Sequence, residues 1–214
     1  RGAGKPAWDE RAGPLQGRDQ VRCVVNRRKA AQTVFHKLTG EGNFHLSTLM
    51  CPAHRKAVLA EIRRRLDEGL PCRVVSTSLI EAGVDVDFPA VYREEAGLDS
   101  ILQAAGRCNR EGKRSPEESI VTIFQGEDKL PQLFAAAIGA GRMVLDRFAD
   151  IASREAVYAY FSSLLDLNGR GAQDKHGILP LMEKEFFPFR TVAERFHLID
   201  DRSTVTVYVP WDEG

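Results

Sequence analysis

Three polar residues near the middle of the chain have the spacing needed to act together on one phosphate group. Gln103, Arg107 and Arg110 follow the i, i+4, i+7 pattern, and at about 100° per residue they share one face of a helix. Arginine keeps its charge and presents a planar fork that matches phosphate oxygens. Phosphoryl transfer needs cations where charge spreads and an amide that orients water. The alternative is an ion-pair network on a surface helix, with nearby carboxylates as partners: Glu94, Glu95 and Glu111.

A second stretch, VVSTSLIEAGVDVDFP at residues 74–89, predicts a phosphate-binding turn. It has the pattern of a buried strand that stops at Thr77, followed by a helical start whose free N–H groups suit a phosphate. The chain then leaves through Gly83 towards Asp85, which is a candidate acceptor for a ribose hydroxyl, while the Thr77 hydroxyl is a candidate phosphate contact. In the alternative interpretation, Thr77 only caps the helix and Gly83 is a turn residue.

The elements that must position these residues alternate between strand and helix. Short apolar strands are predicted at residues 21–25, 45–50, 72–76, 89–95 and 119–124, with helices between them that include one over 98–108. Asn26 is placed to cap the first helix. This alternation predicts an α/β fold with a parallel sheet flanked by helices, and such sheets bind ligands at the carboxyl ends of their strands.

The chain divides into three predicted parts. Residues 1–20 are rich in glycine and proline and are predicted to be a linker or flexible lead-in. Residues 21–130 carry the strand and helix alternation. Residues 131–214 are predicted to form an appended, mostly helical subdomain with a final strand over 204–210.

Composition and charge limit the class of protein. The 214 residues are 43% hydrophobic and 28% charged, which is typical of a globular protein with its own core. There is no apolar run of about 20 residues and no secretory leader pattern, so we expect no membrane association. The four cysteines are scattered and predict reduced thiols in the cytoplasm. Residues 1–75 hold 15 Lys/Arg against 7 Asp/Glu, so this part of the chain is suited to a polyanion.

The two motif stretches together resemble a known family. A strand followed by ST and EAGVDVD, and then Q-x-x-G-R-x-x-R about twenty residues on, resembles motifs V and VI of superfamily 2 helicases. The phrases LIEAGVDVDF (79–88) and QAAGRCNREG (103–112) are similar to the CRISPR-associated helicase–nuclease of type I interference systems. The resemblance runs from about residue 20 to 125, and more loosely into the tail.

The resemblance implies a fold and a set of site residues. The chain is expected to be the second of two RecA-like lobes, with Arg107 and Arg110 as arginine fingers and Gln103 facing the γ-phosphate of ATP. Gly83 and Asp85 are expected to line the nucleotide cleft. Residues 45–55 stand where the family has its motif IV. The residues expected to contact the DNA backbone, each with an alternative as an ordinary strand, cap or surface residue, are Asn26, Arg27, Ser47, Thr48, Arg55 and Thr77.

Several parts of a complete motor have no counterpart in the sequence. There is no G-x-x-x-x-G-K-[ST] loop, no strand that ends in an acidic Walker B pair and no His-Asp dipeptide. We therefore expect ATP, with its Mg²⁺, to be held mainly by a first lobe, and this fragment alone to be inactive as an ATPase. The expected partners are single-stranded DNA, the first lobe and HD nuclease domain of the same full-length protein, and a guide-RNA surveillance complex.

The leading functional hypothesis is the C-terminal helicase lobe of an ATP-dependent single-stranded DNA translocase in CRISPR interference, for which the resemblance implies movement from 3′ to 5′. A superfamily 2 RNA helicase lobe with the same two motifs is a second hypothesis. A third is a non-catalytic RecA-like module that binds a partner, with its helical tail as the candidate contact surface. Only the first two predict that Arg107 serves ATP hydrolysis.

Overall fold

The computed structural model describes residues 13–78, 85–126, 132–169, 174–183, 185–196, 205–208 and 210. Its centre is a five-stranded sheet with the strand order β2-β3-β1-β4-β5, in which every neighbouring pair is parallel. The predicted α/β fold with a parallel sheet is confirmed. The strands are β1 (Gln20–Val25), β2 (Asn43–Leu46), β3 (Cys72–Thr77), β4 (Ala90–Glu94) and β5 (Ile120–Phe124).

Helices connect the strands and continue beyond the sheet. A 3₁₀ turn (Pro116–Glu118) precedes β5. None of the helices in the described part of the chain combines the length and apolar character that a bilayer crossing requires. The helices are α1 (Arg28–His36), α2 (Pro52–Asp67), α3 (Leu98–Ala105), α4 (Gln132–Arg147), α5 (Arg154–Asn168), α6 (Leu179–Met182) and α7 (Phe189–Arg195).

The core lies on both faces of the sheet, because alternate residues of a strand point to opposite sides. In β3, Val75 packs in a cluster with Ala31 and Val34 of α1. Its neighbour Val74 packs on the other face, in a cluster with Ile62 of α2. Helices therefore cover the sheet on both sides, as expected for a parallel sheet whose strands are buried.

The helices after residue 130 pack against the sheet domain through α3. Leu98, at the start of α3, is buried in a cluster with Val144 of α4 and Tyr160 of α5. Ser153 caps α5 by accepting a hydrogen bond from the Ala156 backbone N–H across 3.2 Å. Most of the described residues after 130 are helical, as predicted. The four described residues 205–208 are exposed and lie outside any strand, so a strand through these residues was a wrong prediction.

The lead-in contributes to the fold from residue 13 onwards. Residues 13–16 form a helical turn whose Leu15 is only 2% exposed and packs in the α1 cluster. The Gln16 side chain donates to the Thr39 carbonyl and accepts from its N–H, each across 3.0 Å. The folded unit therefore includes residues before position 21, while the division of the chain near residue 130 stays a prediction.

Two local predictions are wrong. The second strand ends at Leu46 and not at residue 50, because Ser47 turns the chain: its hydroxyl accepts from the Leu49 N–H across 3.2 Å. Asn26 does not cap α1, whose N-cap residue is Arg27. The Asn26 side chain is held instead by residues at the end of β4.

Candidate functional site

The candidate site residues lie at two opposite edges of the sheet. In register, β1 pairs from Gln20↔Cys72 to Val25↔Thr77, so Thr77 marks the carboxyl edge. Phe88 comes just before β4 and therefore lies at the amino edge. Because β3 has six residues and strands rise about 3.3 Å per residue, the edges are about 20 Å apart.

The carboxyl edge holds a shallow groove of about 680 Å³ between the loops that follow β1, β2 and β3. These loops converge because the three strands are parallel neighbours. Four residues expected to contact DNA line it: Asn26, Arg27, Thr48 and Thr77. The described lining also includes Arg28, Lys29, Gln32, Leu49 and Ser78.

The groove is electrostatically positive. Arg27, Arg28 and Lys29 stand together where α1 begins, and no carboxylate is among the described lining residues. The N-terminus of a helix adds a partial positive charge of its own. Hydroxyls of Thr48 and Thr77 complete a set of groups suited to phosphate oxygens. The arrangement can hold a polyanion through its backbone without reading a base.

Two other residues that were expected to contact DNA, Ser47 and Arg55, are not among the described residues that line the groove. Ser47 is 4% exposed, and its hydroxyl accepts from Leu49, so it shapes the turn that carries Thr48. Arg55 lies in the first turn of α2, where its N–H donates to the Cys51 carbonyl, and it does not line the groove.

A polar network joins the groove to α3. The Asn26 N–H donates to Glu94 Oε2, and its side-chain amide donates to the Glu95 carbonyl, each across 2.7 Å. Its Oδ1 accepts from Arg93 Nη1 at 2.8 Å. The other terminal nitrogen of Arg93 donates to Ser100 Oγ of α3 at 2.9 Å. The network fixes the loop before α1 relative to the start of α3.

At the amino edge, the predicted helix over 98–108 is shorter than expected. It ends at Ala105, and Gly106 is the C-cap. Cys108 then forms a parallel bridge with Phe88, and Asn109 has a φ of 50°, which a helix cannot contain. The prediction that Gln103, Arg107 and Arg110 share one helical face is therefore wrong.

Arg107 and Arg110 nevertheless both contact the second motif stretch. Gln103 is exposed in the last turn of α3, and Arg107 is half-buried. The Arg107 carbonyl accepts from the Phe88 N–H across 3.0 Å. Arg110 contacts Asp85 through its guanidinium. Gly83 lies outside the described residues.

The ion pairs at this edge differ from the network expected for a charged surface helix. The partner of Arg110 is Asp85, in a pair whose side chains are 43% and 81% exposed. Glu111 instead pairs with Lys113, and Glu95 pairs with Arg142 of α4. Arg110 thus links the two motif stretches.

A mixed-charge cavity of about 460 Å³ opens beside Asp85. Its walls come from α2 and from the two motif stretches, and they carry cations able to face a phosphate. One wall is fixed by Arg63, whose Nε donates to the Asp85 carbonyl across 3.1 Å. No group of three or more metal-ligating side chains occurs among the described residues. The lining residues are Arg63, Leu66, Asp67, Asp85, Val86, Asp87, Glu111, Lys113 and Arg114.

Several site residues were not singled out from the sequence. Arg28 and Lys29 follow Arg27 directly, so the basic run itself was the available signal. Asn109 stands before Arg-Glu-Gly, and asparagine tolerates the positive φ that it adopts. No local sequence pattern singles out Asp87, because its hydrogen-bond partner Arg110 lies 23 residues further along the chain.

The part of the chain that contains the carboxyl edge and the amino edge of the sheet is similar to known proteins. The family model described as "CRISPR-associated nuclease/helicase Cas3, C-terminal" matches residues 17–113. The Cas3 of Haloferax volcanii is 42% identical over 65 residues, which cover 29% of this chain and 7% of that protein. The Cas3 of Methanothermobacter thermautotrophicus is 30% identical over 133 residues, which cover 60% and 16%. The chain thus spans a small part of these relatives.

Solved structures share the fold. The crystal structure of T. fusca Cas3 with ATP superposes with a TM-score of 0.57 at 18% identity, covering 87% of this chain and 23% of that one. A structure described as a CRISPR RNA-guided surveillance complex before nicking gives a TM-score of 0.50, with coverage of 82% and 24%. The expected RecA-like fold is confirmed. Together the family model and the curated relatives show that residues 17–113 are similar to the C-terminal region of the Cas3 nuclease/helicase, and the solved structures show that the fold is shared.

Proposed function

We propose that this chain is the second RecA-like lobe of an ATP-dependent, single-stranded DNA translocase that acts against foreign DNA in CRISPR interference. The observation that carries the proposal is the placement of two chemically different surfaces on one sheet. A basic groove with hydroxyls lies at the carboxyl edge, and exposed Arg110 beside Asp85 lies at the amino edge. A translocase needs both surfaces, because it must couple nucleotide hydrolysis to binding and release of the DNA strand.

The arginine edge suits one side of a nucleotide site. Arg110 and Arg107 would stabilise charge on the γ-phosphate, and exposed Gln103 would orient water. Asp85 would accept from a ribose hydroxyl, with Gly83 beside it. ATP, with Mg²⁺ held mainly by the first lobe, supplies the phosphoanhydride bond that is cleaved. The fragment alone is therefore expected not to hydrolyse ATP.

The Arg110–Asp85 pair allows this exchange of partners. Both side chains are exposed, and exposed ion pairs contribute only about 0–1 kcal/mol. A phosphate approaching Arg110 competes with Asp85 at little cost. Since water is excluded as two lobes close, the charge-assisted bond to phosphate then becomes stronger than the exposed pair it replaces.

The carboxyl groove suits the backbone of single-stranded DNA. Thr48 and Thr77 would donate hydroxyl hydrogens to phosphates, and Arg27 would supply charge. Asn26 and Ser47 act by positioning, because their polar groups are engaged within the protein. Arg55 would meet the strand only beyond the groove, at the first turn of α2.

The proposed partners are those that the resemblance to the CRISPR-associated helicase–nuclease implies. One structural relative is described as a guide-RNA surveillance complex before nicking, so recruitment by such a complex is proposed for the full-length protein. An HD nuclease domain and the first lobe would belong to the same polypeptide. The proposed location is the cytoplasm, where foreign DNA and ATP are both present.

The test uses a longer protein that includes the preceding lobe. ATP hydrolysis stimulated by single-stranded DNA is compared for wild type, Arg107→Ala, Arg110→Ala and Arg190→Ala. Arg190 is an exposed arginine of α7 that pairs with Glu194, so its loss controls for removing a guanidinium. We expect the first two changes to reduce kcat by about 10³-fold or more while DNA binding and Tm persist. Hydrolysis at the wild-type rate in both variants would overturn the proposal in favour of a binding module.

A further inference from the structure

We propose that Asp87 is a positioning residue for the arginine fingers, which holds the backbone of Arg110 while Asp85 holds its side chain. The inference rests on the proposed function and adds to it a residue with no assigned role. Asp87 Oδ1 accepts from the Arg110 N–H across 2.7 Å. Its Oδ2 accepts from Arg114 Nη1 across 3.0 Å. One carboxylate therefore grips two points of the segment that follows Cys108.

Asn109 closes this segment from within. Its side-chain amide donates to the Arg114 carbonyl across 2.6 Å, and its Oδ1 accepts from the Arg114 N–H across 2.9 Å. The positive φ of Asn109 turns the chain so that the next residue, Arg110, faces Asp87. Residues 109–114 thus form a closed loop with Asp87 as its anchor on the other motif stretch.

The two acidic residues differ in exposure, and this separates their roles. The Asp87 side chain is 13% exposed, whereas that of Asp85 is 81% exposed. A shielded carboxylate with two donors is held in one geometry, and an exposed one exchanges partners easily. Asp87 can therefore keep the Arg110 backbone in place while its guanidinium moves from Asp85 to a phosphate.

Such anchoring matters because the loop has no regular secondary structure of its own. The helix has ended at Ala105, and beyond the Phe88–Cys108 bridge the Arg110 N–H is held by Asp87. A displacement of a catalytic cation by about 1 Å can cost about a hundredfold in rate. Removing the anchor should therefore lower turnover without removing any group that touches ATP.

The experiment compares Asp87→Asn and Asp87→Ala in the longer protein with both lobes. Asparagine keeps an oxygen that accepts from the Arg110 N–H, but it loses the charge that faces Arg114. Alanine loses both contacts. Glu117→Gln is the matched control, because it removes a carboxylate from the exposed 3₁₀ turn a few residues further on. Measured are kcat and KM for ATP, DNA affinity, Tm and amide hydrogen exchange over residues 107–114.

We expect kcat to fall about tenfold to a hundredfold in Asp87→Ala, with KM and DNA affinity within about twofold. Exchange at the Arg110 amide should become faster. Asp87→Asn should recover most of the loss, since the backbone contact survives, and this keeps the test valid should the alanine variant fail to fold. Glu117→Gln should match wild type in every readout.

The outcomes separate this inference from the function on which it rests. A collapse of hydrolysis in Arg110→Ala with wild-type turnover and exchange in both Asp87 variants overturns the positioning role alone. Equal losses of kcat in Asp87→Asn and Asp87→Ala, with slow exchange retained, indicate an electrostatic role and also overturn it. Unchanged hydrolysis in Arg107→Ala and Arg110→Ala overturns both proposals.

Discussion

Tyr160 of α5 donates its phenolic hydrogen to Asp99 Oδ1 in the first turn of α3, across 2.8 Å. The tyrosine is 1% exposed and belongs to the cluster that joins α3 to α4 and α5. Glu95, just before α3, pairs with Arg142 of α4. The helices after residue 130 are thereby fastened to the helix that leads to Arg107.

Replacing this tyrosine should weaken the junction. Tyr160→Phe keeps the ring but removes the hydrogen bond to Asp99, an exposed residue that water can solvate instead, so the free energy of unfolding should fall by about 0.5–1.5 kcal/mol. Urea denaturation followed by circular dichroism measures the change. Tyr158→Phe is the control, since Tyr158 is 76% exposed, and it should shift stability by less than about 0.5 kcal/mol. Equal effects of the two changes would contradict the assignment.

The same residue predicts a dependence on alkaline pH. Burial and then the hydrogen bond to Asp99 raise the pKa of Tyr160 above its ordinary value. The unfolded chain therefore loses the phenolic proton first, near about pH 10. The contribution of Tyr160 should be complete below that pH and should be lost as pH rises towards the folded pKa. Stability measured from pH 8 to 11 should decline more steeply in wild type than in Tyr160→Phe, and parallel curves would refute the prediction.

Gly97 should be intolerant of any side chain. A Cβ at this position would overlap the Tyr160 hydroxyl and the Asp99 carboxylate. Gly97→Ala should therefore reduce the free energy of unfolding by about 1–3 kcal/mol. The control is Gly139→Ala in α4, where a Cβ meets nothing within 4 Å, and it should stabilise by up to about 1 kcal/mol because alanine is the better helix former. Opposite signs in Tm are the expected result.

His45 should make the fold sensitive to mild acid. Burial, and next the nearby charge of His36, lower its pKa below the ordinary value of 6.5. The unfolded state then binds a proton first as the pH falls, so stability should decrease from about pH 6.5 downwards. Thermal unfolding between pH 7.5 and 5 measures this. A His45→Leu variant should show a smaller loss of Tm over that range, and an unchanged loss would rule out His45 as its source.

The groove makes a prediction about salt. In the longer protein, Arg27→Ala should weaken binding to single-stranded DNA and lower the slope of log K against log salt by about 0.7, because one phosphate contact is lost. Sequence preference should not change. Fluorescence anisotropy with two unrelated oligonucleotides at several salt concentrations tests this. Arg190→Ala is the control, and an equal slope in both variants would place the strand elsewhere.

Local pattern was sufficient for most of the sheet. A parallel strand is a short apolar run bounded by helix signals, so the prediction for β1 began within one residue of the observed Gln20. The approach fails where a distant partner decides the conformation. Asn26 looks like a helix cap in sequence, but Glu94, 68 residues away, accepts its N–H, and no local pattern carries that information.

The candidate site shows the same division. Residue types alone suggested phosphate chemistry for Arg107 and Arg110, and this role stays a prediction, whereas their geometry could not be predicted. Helical periodicity predicts one shared face, whereas the bridge from Phe88 to Cys108 ends that regularity. Asp85 and Arg110 were expected to serve one nucleotide on the basis of family motifs alone, and their direct contact comes from pairing across the two stretches.

The separation of the groove and Arg110 by the length of β3 has a mechanical consequence. When a rigid sheet about 20 Å long rotates about one edge, the opposite edge moves farthest. A swing of about 10° about the carboxyl edge carries the amino edge through about 3.5 Å, a distance obtained from that length. A displacement of this size is enough to form or break an ion pair. A small tilt of a stiff sheet can therefore engage or release Arg110 without bending a strand.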